Sequence, residues 1–305
     1  MTIPSWLIFD LGQFVVLFVL LLAAFALVQV VGATRARAGD YAGAERWYRL
    51  AFSHQVRTAG QGNIAAAEFT AGDLEAAERR MRRVFDEARR HRYAQIELNT
   101  LVNLGACLIA QRRLGEAAPL LAWVVRSEKA NALQRASVLY NLSWIAYLEF
   151  NFEEAARGLA AARLESPKPQ GNLKVLYALM AARLATRTKS WDEARRHFDQ
   201  AAADARRATD RGLAGQVALS RGALEYLAGN RDSGLEMVLS SAATLRAADR
   251  GDLAGRLLLG LSYIARRQGD EGAAGRLEAA GSRFRGIVPL PSAADCAAYL
   301  SPEPR

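Results

Sequence analysis

The hydrophobic pattern of this chain changes character once. Residues 11–34 carry no charge, and Phe14 to Val28 is unbroken apolar sequence. Beyond it, apolar and charged residues are interleaved in segments separated by short polar breaks. Gly39-Asp40, Gly72-Asp73, Gly229-Asn230 and Gly269-Asp270 mark four of these breaks, and such pairs signal turns. A ladder of small residues runs through the interleaved part. Ala44, Ala77, Ala117, Ala155, Ala194, Gly234 and Ala274 are separated by 33, 40, 38, 39, 40 and 40 residues. Twelve positions before each lies Gly32, Ala65, Gly105, Ser143, Ala182, Gly222 or Ser262. Two small residues at fixed phase predict two helices crossing closely, since a large side chain there would hold the axes apart. The expected helix pairs are 25–37/41–52, 58–70/74–90, 94–111/115–129, 134–149/153–165, 172–187/191–208, 212–228/232–247 and 253–267/271–285. In such a repeat array each unit packs on its neighbours, so the chain needs no single large core.

The apolar stretch predicts a transmembrane helix. A helix over 11–31 has 21 residues and would be about 31 Å long at ~1.5 Å per residue, enough to span the hydrocarbon core. Arg35, Arg37, Arg46 and Arg49 follow it, and no Lys or Arg precedes it. The positive-inside bias then puts the repeats in the cytoplasm. The expected organisation is a short flank (1–10), a transmembrane helix running into the first repeat (11–33), a helical solenoid (34–285) and a proline-containing tail (286–305). Within that tail, 292–299 would suit a short capping helix. The expected localisation is a single-pass protein of a bacterial inner membrane, touching the bilayer through 11–33. Val31-Gly32-Ala33 keeps open a competing reading, a cleaved signal peptide and an exported periplasmic solenoid acting in envelope assembly or transport.

The residue pattern resembles the tetratricopeptide repeat family. On first helices the resemblance rests on Asn63-Ile64-Ala65, Asn103-Leu104-Gly105 and Asn141-Leu142-Ser143. On second helices it rests on Ala44/Tyr48, Ala77/Met81, Ala117/Leu121, Ala155/Leu159 and Ala194/Phe198, with Pro167 where that family often closes a repeat. It covers roughly residues 25–285. The period is mostly 38–40 rather than the family's ~34, and Arg221, Gly234 and Glu278 depart from the usual residues. HEAT-like pairing therefore stays as a structural alternative. The implied fold is all-α: a right-handed superhelical solenoid of about seven TPR-like hairpins after the membrane helix.

The resemblance also implies a ligand-binding concave face lined by first helices. Carried onto this chain, the inward positions are Phe69, Asn99, Asn103, Tyr140, Asn141, Trp144, Tyr147, Arg183, Tyr226 and Tyr263, with Arg266 at the same phase. Tyr140, Trp144 and Tyr147 share one helical face and would either grip an apolar peptide side chain or pack on the neighbouring repeat. The recurring asparagines would either bond a peptide backbone or tie helices together.

Charge changes this picture little. The net charge is +9, but acids are interleaved with the bases, the pattern of a solvated surface. One arginine-rich helix, with Arg79, Arg80, Arg83 and Arg90, is a candidate basic surface for anionic lipid or nucleic acid; nucleic acid is the weaker reading because no binding module is present. Cys107 and Cys296 stand far apart and form no CxxC pair. His54, His91 and His197 are separated in sequence and show no metal-ligand spacing, and no nucleophile elbow or phosphate loop occurs. No catalytic residue, metal or cofactor is expected. The expected function is a membrane-anchored interaction scaffold that binds a protein or peptide partner.

Overall fold

The structure is a computed structural model that describes residues 19, 22, 23, 26–51, 53–208, 212–247, 251–284, 296, 297 and 300. Every regular element among them is a helix. The helices are α1 (26–37), α2 (Tyr41–Arg49), α3 (His54–Ala71), α4 (Leu74–Arg90), α5 (Ala94–Ala110), α6 (Leu114–Arg126), α7 (Ala132–Leu148), α8 (Phe152–Glu165), α9 (Gly171–Arg187), α10 (Trp191–Ala205), α11 (Gly212–Leu227), α12 (Arg231–Ala247), α13 (Gly251–Arg267) and α14 (Glu271–Ser282). Their ends fall within a few residues of those the ladder predicts.

One turn design recurs after every odd-numbered helix. A residue of positive φ stands at the same place in each: Gly39, Gly72, Arg112, Phe150, Lys189, Gly229 and Gly269. The amide of the next residue donates to the carbonyl five residues back, as in Asp40 to Arg35 (2.9 Å), Asn151 to Ala146 (2.9 Å) and Asp270 to Ala265 (2.9 Å). This bond satisfies a carbonyl orphaned at the helix end. The same residue then caps the following helix. The side chains of Asp40, Asp73, Asn151 and Asp270 accept from the amides of Gly43, Ala76, Glu154 and Ala273. One residue thus ends one helix and starts the next, which explains the Gly-Asp pairs, while Asn230 makes the same return bond, to the Glu225 carbonyl at 2.9 Å, and donates its side-chain amide to the Glu225 carboxylate.

The small-residue ladder is buried on every rung. At the crossing of α11 and α12 the backbones approach closely: a Cβ on Gly234 would stand 2.3 Å from the Tyr226 amide nitrogen, and one on Gly222 would stand 2.8 Å from that of Val238. At the equivalent crossing of α7 and α8, the Ser143 hydroxyl donates to the Ala155 carbonyl at 2.6 Å. The serine therefore fills a small-residue position without leaving its own hydroxyl unpaired.

The chain divides into two units, Met1–Phe69 with Asp73–Cys107, and Thr70–Gly72 with Leu108–Arg305. In the first, Tyr48 is buried among Ala36, Ala44 and Ile64. Its ring lies over Gly32 and Gly60, where a Cβ would approach within 2.6 and 2.3 Å. In the second, α7 packs on α8, α9 on α10, α11 on α12 and α13 on α14, and the first helices also meet in the order α7, α9, α11, α13. Gly260 on α13 leaves room for the chain to return: a Cβ there would stand 2.7 Å from the Cys296 carbonyl oxygen. Cys296 and Ala297 are helical and buried against it.

The expected membrane localisation is corrected here. Among the described residues no helix is long and apolar enough to cross a membrane. The described end of the expected span belongs to α1, whose Gly32 and Ala36 are buried beneath Tyr48 rather than presented to lipid. The described residues give no support to the anchoring role and the bilayer contact assigned to 11–33. Apart from residues 19, 22, 23 and 26–33, that span lies outside the described residues, as do the flank 1–10 and most of the tail 286–305.

Candidate functional site

The second unit holds a cleft of about 630 Å³, counting the space at its open mouth. Its walls come from successive first helices and from the returning C-terminal segment. α7 supplies Trp144, Tyr147 and Leu148; α9 supplies Arg183 and Thr186; α11 supplies Ser220, Ala223 and Leu224. Arg112, Arg256, Cys296 and Leu300 complete much of the wall. Successive first helices share a face because each hairpin repeats the same turn and crossing, so residues distant in sequence meet in register.

Aromatic and cationic groups are layered in this wall. Trp144 stacks on Tyr147, with ring centroids 5.3 Å apart and planes 11° from parallel. The Arg183 guanidinium lies over the Trp144 ring at 4.8 Å, a cation–π geometry. Arg183 also donates to the Ser220 hydroxyl at 3.3 Å. Burial pushes the pKa of Arg183 below the usual arginine value, partly opposed by Tyr140 and Tyr147. Next to this group, Arg187 covers Phe152 at 4.2 Å, and Phe152 meets Tyr147 edge-on at 5.3 Å. None of the lining residues is acidic. The cleft is therefore apolar, aromatic and positive.

The predicted inward residues separate into groups. Trp144, Tyr147 and Arg183 come together in the cleft. Tyr140 instead packs on Tyr177, 6.0 Å away between centroids, and burial raises its hydroxyl pKa to about 12. Tyr226 is buried in the apolar cluster of α11 to α14. Asn141 and Tyr263 are half-buried in the second unit, while Arg266 is paired with Glu271 and Glu278. Phe69, Asn99 and Asn103 belong to the first unit, with both asparagines exposed. Asn63 donates to the Tyr48 hydroxyl at 3.2 Å, tying two helices together. Arg112, Arg256, Cys296 and Leu300 had no signal in the repeat phase: Arg112 stands in the turn after α5, Arg256 takes another position on α13, and two come from the tail.

The four arginines of the candidate basic surface are not equivalent. Arg80 turns inward and grips Glu68 through bonds of 2.8–3.0 Å. Arg79 pairs with Glu75 and Arg90 with Glu87, and Arg83 is exposed. The acids interleaved in the sequence thus offset most of this charge.

No protein-family model matches the chain, and no curated protein matches it. Solved structures do. The chain is similar to a Rap protein complexed with competence and sporulation factor, with TM-score 0.66 and 12% identity over 87% of this chain and 76% of that one. It is also similar to the Rap conjugation gene regulator of plasmid pLS20 in complex with the Phr* peptide (TM-score 0.64, 15% identity, 88% and 76% covered). The apo form of RapI gives 0.62 at 12% identity, with 86% and 98% covered. The fold is shared with Rap proteins. These are tetratricopeptide-repeat proteins, so the likeness establishes the repeat class at a sequence identity too low to carry function.

Proposed function

We propose that the protein is a peptide-binding scaffold, acting by binding rather than by catalysis, and that the cleft of the second unit receives the peptide. The observation that carries this reading is the Arg183 guanidinium. It is desolvated, stacked on Trp144 and bonded to a neutral hydroxyl, and among the described residues it pairs with no carboxylate. A charge in that position gains most from an anionic ligand group, because charge-assisted bonds strengthen away from water. The matching ligand is a short peptide that presents a carboxylate, terminal or side-chain, beside an apolar or aromatic residue for the Trp144–Tyr147 stack. Of the similar Rap structures, one is complexed with competence and sporulation factor and one with the Phr* peptide, and the second supports the same class of ligand here.

The test is a display library of short peptides selected on the full-length protein, with affinities then measured on Arg183→Met and Trp144→Ala. Arg183→Met keeps the apolar stem and removes the charge. It weakens the selected peptides by about 10- to 100-fold, the ~1.5–3 kcal/mol of a charged hydrogen bond. Amidating or neutralising the peptide carboxylates reproduces the loss. Peptides that bind both variants as tightly as the parent protein refute the assignment.

A further inference from the structure

The first unit carries a cluster that the peptide reading does not use. His54 opens α3, whereas Glu87 and His91 sit at the far end of α4. In an antiparallel hairpin those two ends lie side by side, so residues 37 positions apart meet. His54 Nε2 is 3.0 Å from Glu87 Oε1, and His91 Nε2 is 3.2 Å from the same oxygen. The three ligand-capable atoms all lie within 4.8 Å of one another. Atoms bound about 2.0–2.1 Å from one ion stand ~3.0 Å apart at octahedral angles and ~3.4 Å apart at tetrahedral angles. Both separations to Glu87 Oε1 fall in that interval, and the two histidine nitrogens, within 4.8 Å of each other, need to close to the same range around an ion.

The surroundings hold the ligand atoms in place. His54 Nδ1 is 3.4 Å from the Tyr93 hydroxyl and 3.5 Å from that of Thr58. These contacts on the far ring nitrogen turn Nε2 toward Glu87, the arrangement of a metal-ligating histidine with its outer-shell partner. Tyr93 also stacks on His91, at 5.6 Å between centroids and 17° between planes. Arg90 bonds Glu87 Oε2 at 2.9 Å, leaving Oε1 toward the histidines. All three candidate ligands are partly exposed, so an ion there would keep water on its remaining positions. Two neutral imidazoles and a carboxylate form a site of charge −1 without thiolate, a donor set suited to Zn²⁺ among the common divalent ions.

The geometry points to a surface Zn²⁺ site formed by His54, Glu87 and His91. It joins the open end of the α3–α4 hairpin, where no turn restrains the two helices, and binding there cross-links them. The test uses metal-free full-length protein, with Zn²⁺ titrated in competition with a chelating dye and folding followed by circular dichroism. One equivalent binds, and the hairpin becomes more resistant to heat when it does. His91→Ala and Glu87→Gln, both at accessible positions, each weaken binding by about tenfold or more. His197→Ala leaves binding unchanged, since His197 lies elsewhere, 3.7 Å from Glu193. Co²⁺ in place of Zn²⁺ gives a visible absorption band that His54→Ala abolishes. Binding that persists in His91→Ala and Glu87→Gln, or none in the parent protein, overturns the assignment and leaves a hydrogen-bonded cluster. Should either variant fail to fold, His91→Gln provides the same comparison.

Discussion

Arg80 offers the sharpest test of how this protein uses its positive charge. The sequence places it in a run of arginines with the look of a basic surface. In the structure it crosses from α4 to α3 and meets Glu68, which is only 3% exposed. Its Nε contacts both carboxylate oxygens at 3.0 Å, its Nη2 adds a bond of 2.8 Å, and its Nη1 donates to Gln61 at 2.6 Å. Arg80→Ala leaves Glu68 charged and unpaired in the hairpin interior. Breaking a buried pair from one side costs about 3–5 kcal/mol. Arg80 keeps some contact with solvent, so the lower figure applies, and ~3 kcal/mol raises the opened fraction about 100-fold. Arg79 is the control: its pair with Glu75 is 3.5 Å long and largely exposed, so Arg79→Ala costs no more than about 0.5 kcal/mol. Urea unfolding followed by circular dichroism measures both. The double variant Glu68→Met with Arg80→Met recovers most of the loss, because the uncompensated charge is gone. If Arg80→Ala unfolds at the same urea concentration as Arg79→Ala, the pair has no structural role and Arg80 belongs to the surface after all.

Three further outcomes follow from named geometry. Gly234→Ala drives a methyl group to within 2.3 Å of the Tyr226 backbone and destabilises by about 1–3 kcal/mol; Gly275→Ala, with nothing within 4 Å of the added Cβ on α14, stabilises by about 0.5–1 kcal/mol, and thermal melts separate them. Lys189→Gly relieves a positive φ of 56° and stabilises by about 1 kcal/mol, read as a higher urea midpoint. Glu225 is held below its usual pKa of 4.5, chiefly by its bonds from Arg195 and then by Asn230, against the opposing effect of burial. Its folded-state pKa is depressed, so its contribution is complete above about pH 4.5 and is lost as pH falls through the lower native value. Urea midpoints measured from about pH 6 down to about pH 3 decline less in Arg195→Gln than in the parent protein; equal declines refute the coupling.

Much of the architecture was legible because helical packing has strict steric demands. A residue at a helix crossing is either small or in the way, so Gly222 and Gly234, falling at the phase of the other rungs, mark the crossing of α11 and α12. The Gly-Asp turns were legible for a similar reason: one residue must adopt positive φ and the next must cap. The three turns at Arg112, Phe150 and Lys189 carry no such mark, since ordinary residues hold the same conformation there at an energetic cost, and only the ladder located them. The apolar run misled because hydrophobicity alone does not say what covers a surface. At the described end of that run Gly32 lies beneath Tyr48, arriving from α2, while Leu27 and Val30 of the same helix are exposed.

The candidate sites needed the third dimension. Repeat phase brought Trp144, Tyr147 and Arg183 to one face, because a periodic sequence repeats its outward directions. It could not tell that Tyr140 turns into the Tyr177 cluster, since one helical face is wide enough to point both into a cleft and into the next hairpin. It did not place the tail segment at Cys296, which suited a short capping helix by its sequence and lies on α13 where Gly260 leaves space. His54 and His91 looked unrelated along the chain and are neighbours in the hairpin, placed almost symmetrically about the turn at Gly72. The amino-acid sequence by itself determined the helices, their turns and their close crossings, all short-range consequences of side-chain size and backbone conformation. The tertiary structure alone decided which charges are buried, which aromatics face a cleft and which histidines meet, because those depend on what arrives from elsewhere in the chain.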